Sequence, residues 1–489
     1  MGVYTPVSLA SHPLQLNLQL ATMAPNKPRV IIVGAGIGGL TLAILMEKAK
    51  IPYEILERAT EVKILGSAIS LGSTVAPLFK QLGIYEEFAS KGKRNLFIDT
   101  YNESRERSFI MDFEPVTEMG GYPGYIIPRS ALYEVLLKQV PVERIHMGKK
   151  VLSVMQNESG ATITCSDGST LEGDIVVGAD GAYSAVRQSL YQQLKKDSKL
   201  PASDSEALPY SCVCLVAQTS PLDPAKFPEL NNEMCLFKNV LAEDRPYSWA
   251  TLTTKGNVIC WGVTQYLDKE SSKENDSFRN SEWGLEAADA MCNEVRDFPI
   301  PGGDGTLTLG DLIDNTPKAL VSKVMLEEKV FSTWYSGRVV LLGDACHKIH
   351  PAGGRGAISA IHDAICLANW INVLPSPSVE NVEKIFKHYK AERLPPAEAA
   401  YTFGRNMANV SARASTFKAM IARYFVKNMP TWLWRKVLVR HAAIRPQVSF
   451  LPLVEDHGTV KPEHQPSLHK TLEILRSRET DAGRTAAAV

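Results

Sequence analysis

The feature that most constrains the fold of this 489-residue chain is a glycine-rich turn between a strand-like run and a helix-forming stretch. Residues 29–33 are mostly apolar and β-branched, and residues 40–50 contain no proline, which predicts a strand followed by a helix. Gly34, Gly36 and Gly39 form a GxGxxG pattern between them. In this setting the three glycines allow a tight turn, the approach of a pyrophosphate to the backbone, and close packing of helix on strand.

A carboxylate at the end of the next apolar run strengthens this interpretation. Residues 51–56 read as a second strand, and Glu57 follows it. A carboxylate in that position accepts hydrogen bonds from both ribose hydroxyls and repels a 2′-phosphate. The alternative, a glycine turn with an unrelated surface glutamate, does not account for the complete strand–turn–helix–strand order. The sequence therefore predicts a βαβ dinucleotide site.

Two later turns decide which dinucleotide is bound. Residues 178–187 follow a buried strand and contain Asp180, two close glycines and Arg187, which can balance the charge of a pyrophosphate. Residues 343–347 and 351–357 end another strand and open a helix. Asp344 can accept hydrogen bonds from a ribitol, and the helix N-terminus favours the negative edge of a reduced ring. A polyol acceptor beside a helix end predicts a flavin, and hence FAD.

Together, the three segments resemble the class A FAD-dependent monooxygenases of the para-hydroxybenzoate hydroxylase type, over residues 28–370. The stretch 445–452 resembles the fungal secondary-metabolism branch that oxidises prenylated and indole-terpene substrates. The resemblance implies roles at the cofactor for Glu57 on the adenosine ribose and for Arg129, backbone near Ser70, Asp344, Gly356 and Ala357. Arg355 and Ile358 depart from the family pattern, because relatives frequently carry a neutral residue and an asparagine there. We expect Arg355 to lie near the flavin ring, the alternative being that it points to solvent.

The order of the segments predicts an α/β fold with a Rossmann-like FAD-binding domain, a β-rich substrate domain and a helical C-terminal region. After a loose N-terminal extension (1–27), the FAD-binding domain occupies 28–196, with a substrate-domain segment inserted near 95–128. The substrate domain occupies 197–329, and the FAD-binding domain resumes over 330–375. Residues 376–489 form the helical region and a tail, with loop-like composition after Pro446.

The resemblance implies an enzyme that uses NAD(P)H and O2 to epoxidise or hydroxylate a lipophilic isoprenoid, aromatic or indole compound. NAD(P)H would dock transiently, because the chain has one GxGxxG. Tyr210 and His350 are the candidate catalytic residues, for holding a substrate hydroxyl and moving a proton near the ring; a buried structural tyrosine and a hydrogen-bonded loop histidine are the alternatives. Other functions left open are an FAD-dependent reductase of isoprenoid double bonds and a flavin-binding redox regulator without turnover.

Charge and cysteine content argue against other classes of protein. The 53 basic residues balance 53 acidic ones, so nucleic acid is not an expected partner. The 8 cysteines show no CxxC pair and no zinc-like spacing, which favours a reduced, cytoplasmic protein without a metal. A further hypothesis is that the flavin exchanges electrons with the pair Cys212 and Cys214, or with Cys346. The alternative is that these cysteines are small buried residues that only pack in the core.

The charged residues of the segment 405–441 are all basic. The segment contains no acidic residue but eight basic ones, Arg405, Arg413, Lys418, Arg423, Lys427, Arg435, Lys436 and Arg440. Helical spacing places five apolar side chains on one face, namely Phe417, Met420, Ile421, Tyr424 and Phe425. Trp432 and Trp434 follow, and such rings settle at interfaces. We expect peripheral contact with a membrane surface; the alternative is that this face packs on the FAD-binding domain.

Overall fold

The computed structural model describes residues 27–61, 68–267, 285–303, 305–411 and 417–487. Of the N-terminal extension predicted over 1–27, all but Lys27 lies outside these ranges. The described chain is a mixed α/β structure with two large sheets and a helical C-terminal region, as predicted. No helix within these ranges is both long and apolar enough to cross a bilayer.

The first large sheet has six strands, β1 (Val30–Val33), β2 (Tyr53–Leu56), β8 (Ile145–His146), β12 (Ile175–Gly178), β19 (Tyr335–Ser336) and β20 (Val339–Leu341). Their order is β19-β20-β12-β1-β2-β8, and every neighbouring pair is parallel except β19–β20. All four residues of β1 are buried, as expected where both faces of a parallel sheet are covered. The loops after β1, β2, β12 and β20 therefore leave the same edge of the sheet.

Helices α1 (Ile37–Lys48) and α6 (Ala185–Lys196) contact this sheet. The same buried core includes residues of α2 (Ala76–Leu82), α3 (Tyr85–Lys91), α5 (Arg129–Leu137) and α10 (Gly356–Asn372). Helices α1 and α10 contact each other directly. A Cβ on Gly38 would lie 2.5 Å from Leu342 Cδ2 and 3.1 Å from Ala360 Cβ. Because Gly38 has no side chain, the first and third predicted cofactor segments can pack side by side.

The second large sheet runs β17 (Ser322–Glu327), β13 (Tyr210–Gln218), β16 (Ile259–Tyr266), β15 (Tyr247–Thr253), β14 (Phe237–Leu241), β5 (Phe97–Tyr101) and β6 (Arg107–Asp112). Strands from the 95–128 segment thus pair with strands from the later part of the chain, with β5 parallel to β14. One face, through Val213 and Leu215, packs with residues of α8 (Leu285–Glu294) and α9 (Leu309–Asp314). The opposite face carries Cys212, Cys214 and Leu326.

Smaller sheets complete the two units. One joins β9 (Val151–Gln156), β10 (Ala161–Cys165) and β11 (Thr170–Gly173); another joins β3 (Ala68–Leu71), β4 (Lys93–Arg94) and β7 (Tyr125–Pro128); the pair β18 (Lys329–Val330) and β21 (His347–Lys348) is separate. Two short helices are α4 (Glu114–Gly120) and α7 (Ala202–Ser205). A turn at Asp167-Gly168 joins β10 to β11, with Gly168 at φ +82°.

The C-terminal region contains α11 (Val379–Ser411), α12 (Phe417–Lys427), α13 (Thr431–Ala443) and α14 (Pro466–Ala487). The last helix corrects the prediction of a loop-like tail after Pro446. Helix α14 packs against α10 and α11, and Thr471 on it is fully buried. Tertiary contact therefore stabilises this helix.

Candidate active site

The GxGxxG turn joins β1 to α1 and touches the turn after β12. Gly34 has φ +102°, and a Cβ on it would lie 2.5 Å from the carbonyl oxygen of Ala179. A Cβ on Gly39 would collide with the carbonyl oxygen of Gly34. Packing inside the protein thus explains both glycines, and it brings the first and second predicted segments together.

Gly36 differs because the protein leaves space beside it. It is the N-cap of α1, with φ −71° and ψ −179°, a conformation open to any residue, and no side chain caps the helix. A Cβ on Gly36 would meet no described atom within 4 Å. Neither packing nor backbone conformation requires glycine here, whereas close approach of a pyrophosphate does. The uncapped N–H groups of α1 suit the same anion, so the residues present fit FAD.

The predicted adenosine side of the site is assembled after β2. The N–H groups of Ala35 and Ala59 each donate to the Glu57 carboxylate, at 2.9 Å, which holds Glu57 against the glycine turn. Burial raises the pKa of Tyr133 to about 12, and the charges of Glu57 and Arg129 act on it in opposite directions. Arg129 begins α5 and is exposed, as is Ser70 on β3. Contacts of these residues with the cofactor stay predictions.

The second segment is used mainly inside the protein. Asp180 Oδ2 accepts hydrogen bonds from the N–H groups of Ala185 (2.7 Å) and Val186 (3.3 Å), which caps α6. Arg187 donates to the carbonyl oxygens of Ala345 and Ala182, and its guanidinium lies 4.2 Å from the Phe331 ring centre. The expectation that Arg187 balances a pyrophosphate is therefore corrected: its donors join the second segment to the third.

The third segment places a carboxylate beside a helix end. Asp344 Oδ1 lies 4.0 Å from the position of a Cβ on Gly356, the first residue of α10. Asp344 Oδ2 accepts a 2.6 Å hydrogen bond from Lys348 Nζ, and the carboxylate keeps 34% of its exposure. No side chain caps α10, and Ala357 follows on its first turn. The arrangement fits a polyol at Asp344 and an anionic ring edge at the helix N-terminus.

A buried charge network supports this segment, and sequence reasoning missed it. Asp363 Oδ2 lies 2.5 Å from His347 Nε2 and accepts the Gly343 N–H at 3.1 Å, while Oδ1 accepts from Arg393 Nε at 2.8 Å. Burial lowers the pKa of His347, but the Asp363 carboxylate outweighs it and holds that pKa well above its usual value. Burial raises the pKa of Asp363, but His347 and Arg393 bring it to about 2. No spacing rule connects these three residues; only the fold does.

The same network includes a group of metal-ligand type. Ligand atoms of Cys346, His347 and Asp363 lie within 4.8 Å of one another, the one such group found in the described part of the chain. Arg393 already pairs with Asp363 at 2.8 Å, and a guanidinium there repels a cation. We therefore interpret the group as a charge network rather than a metal centre.

The two candidate catalytic residues are both buried. His350 Nδ1 accepts the Ala352 N–H at 3.2 Å, His350 Nε2 lies 3.7 Å from Cys212 Sγ, and burial lowers the pKa of His350 to about 4. This corrects the reason for proposing His350 as a proton shuttle, because its pKa is no longer near neutrality. Tyr210 is 7% exposed at the start of β13, beside an irregularity in the pairing with β17. Its role stays a prediction.

The cysteines are poorly suited to electron exchange. Cys212, Cys214 and Cys346 are free and buried. Burial raises the pKa of Cys212 to about 12 and that of Cys214 to about 11, and it also raises the pKa of Cys346. Since the thiolate is the reactive form, the packing alternative is favoured for all three.

Arg355 lies in the loop before α10. Burial lowers its pKa to about 10, and its guanidinium lies 6.0 Å from the Phe403 ring centre. It is the N-cap residue of α10, and Ile358 is partly buried on the first turn. Arg355 therefore remains a cation at neutral pH, packed against α11 rather than extended into solvent. Its proximity to a flavin ring stays a prediction.

Comparison with known proteins identifies the family. Residues 27–207 and 312–404 match the family described as FAD binding domain. FAD-dependent monooxygenase nvfK of Aspergillus novofumigatus is 29% identical over 415 residues, which cover 83% of this chain and 84% of nvfK. FAD-dependent monooxygenase janM of Penicillium janthinellum is 30% identical over 414 residues, covering 82% and 81%.

A solved structure shares the fold. HpxO of Klebsiella pneumoniae, in complex with FAD and uric acid, aligns with a TM-score of 0.66 at 18% identity, covering 85% of this chain and 96% of HpxO. The family match covers more than half of the chain, and it includes all three predicted cofactor segments. The protein belongs to the FAD-dependent monooxygenases and is a flavoprotein oxidoreductase with FAD as its cofactor.

Proposed function

We propose that this monooxygenase uses NAD(P)H and O2 to epoxidise or hydroxylate a lipophilic small molecule, an isoprenoid or an aromatic or indole compound, in fungal secondary metabolism. The observation that carries the proposal is an apolar sheet face that meets the loop before α10. Bound FAD would take electrons from NAD(P)H and supply one oxygen atom of O2 to the substrate.

The apolar face belongs to β13, β16 and β17. Cys212, Cys214 and Leu326 are buried on it, and three partly buried side chains pack with them, Val216, Tyr266 and Val324. Cys212 Sγ lies 3.7 Å from His350 Nε2, so the face directly adjoins the loop that leads to Arg355 and α10. Apolar surface with few polar groups favours a lipophilic substrate, because it binds by burying apolar area.

The side chains around this face would orient the substrate and exclude water from it. His350 is neutral at pH 7, since its pKa is about 4, and its Nδ1 is occupied by the Ala352 N–H. Arg355 is a cation within this loop, five residues after His350. Fungal origin of the relatives nvfK and janM, together with the resemblance at residues 445–452, supports a secondary-metabolite substrate.

Incubation of the FAD-bound enzyme with an extract of its host tests the proposal. We expect a product heavier by one oxygen atom, about 16 mass units, with one O2 consumed for each NAD(P)H oxidised. A product heavier by two hydrogens without O2 uptake would identify a reductase instead. Reduction of the flavin without sustained NAD(P)H oxidation, O2 uptake or product would identify a redox regulator.

A variant connects the activity with the sheet face. Val216→Asp puts a charge on that face, so we expect KM for the identified substrate to rise by at least about tenfold while FAD content is unchanged. Met155→Asp is the matched control, because Met155 is 65% exposed on β9. An unchanged KM in Val216→Asp would place the substrate elsewhere.

A further inference from the structure

Helices α12 and α13 expose large apolar side chains. The exposed fractions are 51% for Ile421, 72% for Tyr424, 53% for Phe425, 61% for Trp432 and 37% for Val439. We call these five residues the outer face. The alternative of packing on the FAD-binding domain does not hold for Ile421, Tyr424 and Phe425; Phe417 and Met420, expected on the same side, have side chains outside the described set.

Other residues attach the two helices to the protein. Arg423 Nε donates to the carbonyl oxygen of Val410 at 3.0 Å. Trp434 Nε1 donates to the carbonyl oxygen of Asp112 at 2.6 Å, and its ring meets Phe113 edge to face at 5.4 Å. Trp434 is therefore an anchor rather than the interfacial ring predicted from sequence. Because the anchors lie elsewhere on the helices, the outer face is not needed for docking.

The charged residues of helices α12 and α13 themselves are all basic. Residues 405–441 contain no aspartate or glutamate. Arg405 pairs with Glu328 at 3.1 Å, and Arg435 shares a cleft with Glu114 and Glu118. Among the described side chains, the exposed cations that remain on these helices are Lys427, Lys436 and Arg440; Arg413 and the side chain of Lys418 lie outside the described set. Lys436 Nζ lies 5.1 Å from the ring centre of Trp432, so apolar and basic groups alternate on one surface.

Helix α13 is linked to the loop before α10 through Phe403 of α11. The Phe403 ring on α11 is 6.0 Å from the Arg355 guanidinium and meets His441 of α13 edge to face at 5.0 Å. A Cβ on Gly404 would lie 3.0 Å from the carbonyl oxygen of His350. Phe403 of α11 therefore lies between α13, which carries Trp432 and Val439 of the outer face, and this loop.

We propose that the outer face rests on the surface of an anionic phospholipid bilayer. Apolar side chains and a tryptophan would enter the interface, while Lys427, Lys436 and Arg440 would lie at the lipid phosphates. A merely solvated helix face would mix charges of both signs, and a protein partner would have to be both apolar and acidic. The placement requires no spanning helix, and it concerns attachment, whatever reaction the flavin performs.

Sedimentation of the FAD-bound, full-length protein with vesicles tests this proposal. We expect binding to phosphatidylcholine vesicles containing about one-third phosphatidylserine at about 50 mM salt, and a large loss of binding at about 500 mM salt. The triple variant Lys427→Gln, Lys436→Gln, Arg440→Gln should lower the partition coefficient on the order of a hundredfold, at about fivefold for each charge. The pair Ile421→Ser, Phe425→Ser should also lower it.

The control removes three exposed lysines from another surface, Lys195→Gln, Lys196→Gln and Lys199→Gln, and should bind vesicles as the unaltered protein does. Retained FAD absorbance and circular dichroism show that each variant is folded. A protein that stays in the supernatant at low salt overturns the proposal. So does an equal loss of binding in the control, or a dimer whose dissociation by Ile421→Ser, Phe425→Ser shows that a second copy covers the outer face.

Discussion

Asp363 Oδ2 lies 2.5 Å from His347 Nε2, and the two side chains are 0% and 1% exposed. Asp363 belongs to α10, whereas His347 begins β21, three residues after Asp344. The contact therefore fixes the position of Asp344, which is predicted to bind ribitol, relative to the N-terminus of α10, which is predicted to face the flavin ring. Removing one member of this buried charge network should lower the unfolding free energy, because the remaining charges stay buried without an opposite charge.

This network predicts a pH dependence of stability. The pKa of His347 is raised in the folded protein, so its contribution is complete below the unfolded value, about 6.5, and is lost as the pH rises through the folded value. Above about pH 6.5 the unfolding free energy should fall by up to roughly 1.4 kcal/mol per pH unit. His347→Asn should reduce this slope in urea unfolding of the FAD-bound protein.

His146→Asn is the matched control for that slope, because His146 pairs with Glu54 at 2.8 Å while 37% exposed. The slope should be retained in this variant. If His347→Asn keeps the full slope as well, another group causes it. At the acid end, the contribution of Asp363 is present above about pH 4 and is lost as the pH falls through about 2.

Two glycines of the first turn should respond differently to alanine. Gly39→Ala collides with the carbonyl oxygen of Gly34, so the unfolding free energy of the apoprotein should fall by roughly 1–3 kcal/mol. Gly36→Ala meets no described atom within 4 Å, so apoprotein stability should change by less than about 1 kcal/mol. FAD affinity should nevertheless fall at least about tenfold in Gly36→Ala, because the methyl group occupies the path of the pyrophosphate. Calorimetry of apoprotein and FAD titration measure the two effects; full FAD affinity in Gly36→Ala would contradict the pyrophosphate position.

Loss of the Asp344 carboxylate should weaken FAD binding. A hydrogen bond that involves a charged group contributes about 1.5–3 kcal/mol, so Asp344→Ala should raise the Kd for FAD roughly 10- to 150-fold. Asp297→Ala is a suitable control, since that side chain is 75% exposed in the substrate domain. Fluorescence titration of stripped protein provides both values. Equal affinity of Asp344→Ala and the unaltered protein would remove Asp344 from the cofactor site.

Arg355 should stabilise the anionic reduced flavin if it lies near the ring. Arg355→Leu removes a cation that stays charged at neutral pH, so the midpoint potential of bound FAD should become more negative, by about 30 mV for each 1.4 kcal/mol of lost attraction. Arg476→Leu, at an exposed position of α14, should leave the potential unchanged. Dye-coupled reductive titration measures both variants. Identical potentials in the two variants would place Arg355 away from the ring.

The sequence determined the cofactor-binding half of the fold because its signals are local. A strand, a glycine turn and a helix within residues 29–50 have few alternative arrangements, and the same holds for the turns at Asp180 and Asp344. Since parallel strands deliver their following loops to one edge, the convergence of these turns is a consequence of topology. The structure confirms it through the contacts of Gly34 with Ala179 and of Gly38 with Ala360.

Only the tertiary structure decided how individual side chains are used. Arg187 binds internal carbonyl oxygens, whereas its sequence context indicated a pyrophosphate as its partner. Asp180 caps α6, and its contact with the cofactor stays a prediction. The surfaces that meet in three dimensions likewise decide that His347, Asp363 and Arg393 form a buried network. They also decide that Tyr424 and Phe425 are exposed while Trp434 is an anchor. Periodicity places side chains on a helix face, but burial and charge pairing depend on residues distant in the chain, and those contacts exist only after the helices and sheets have packed.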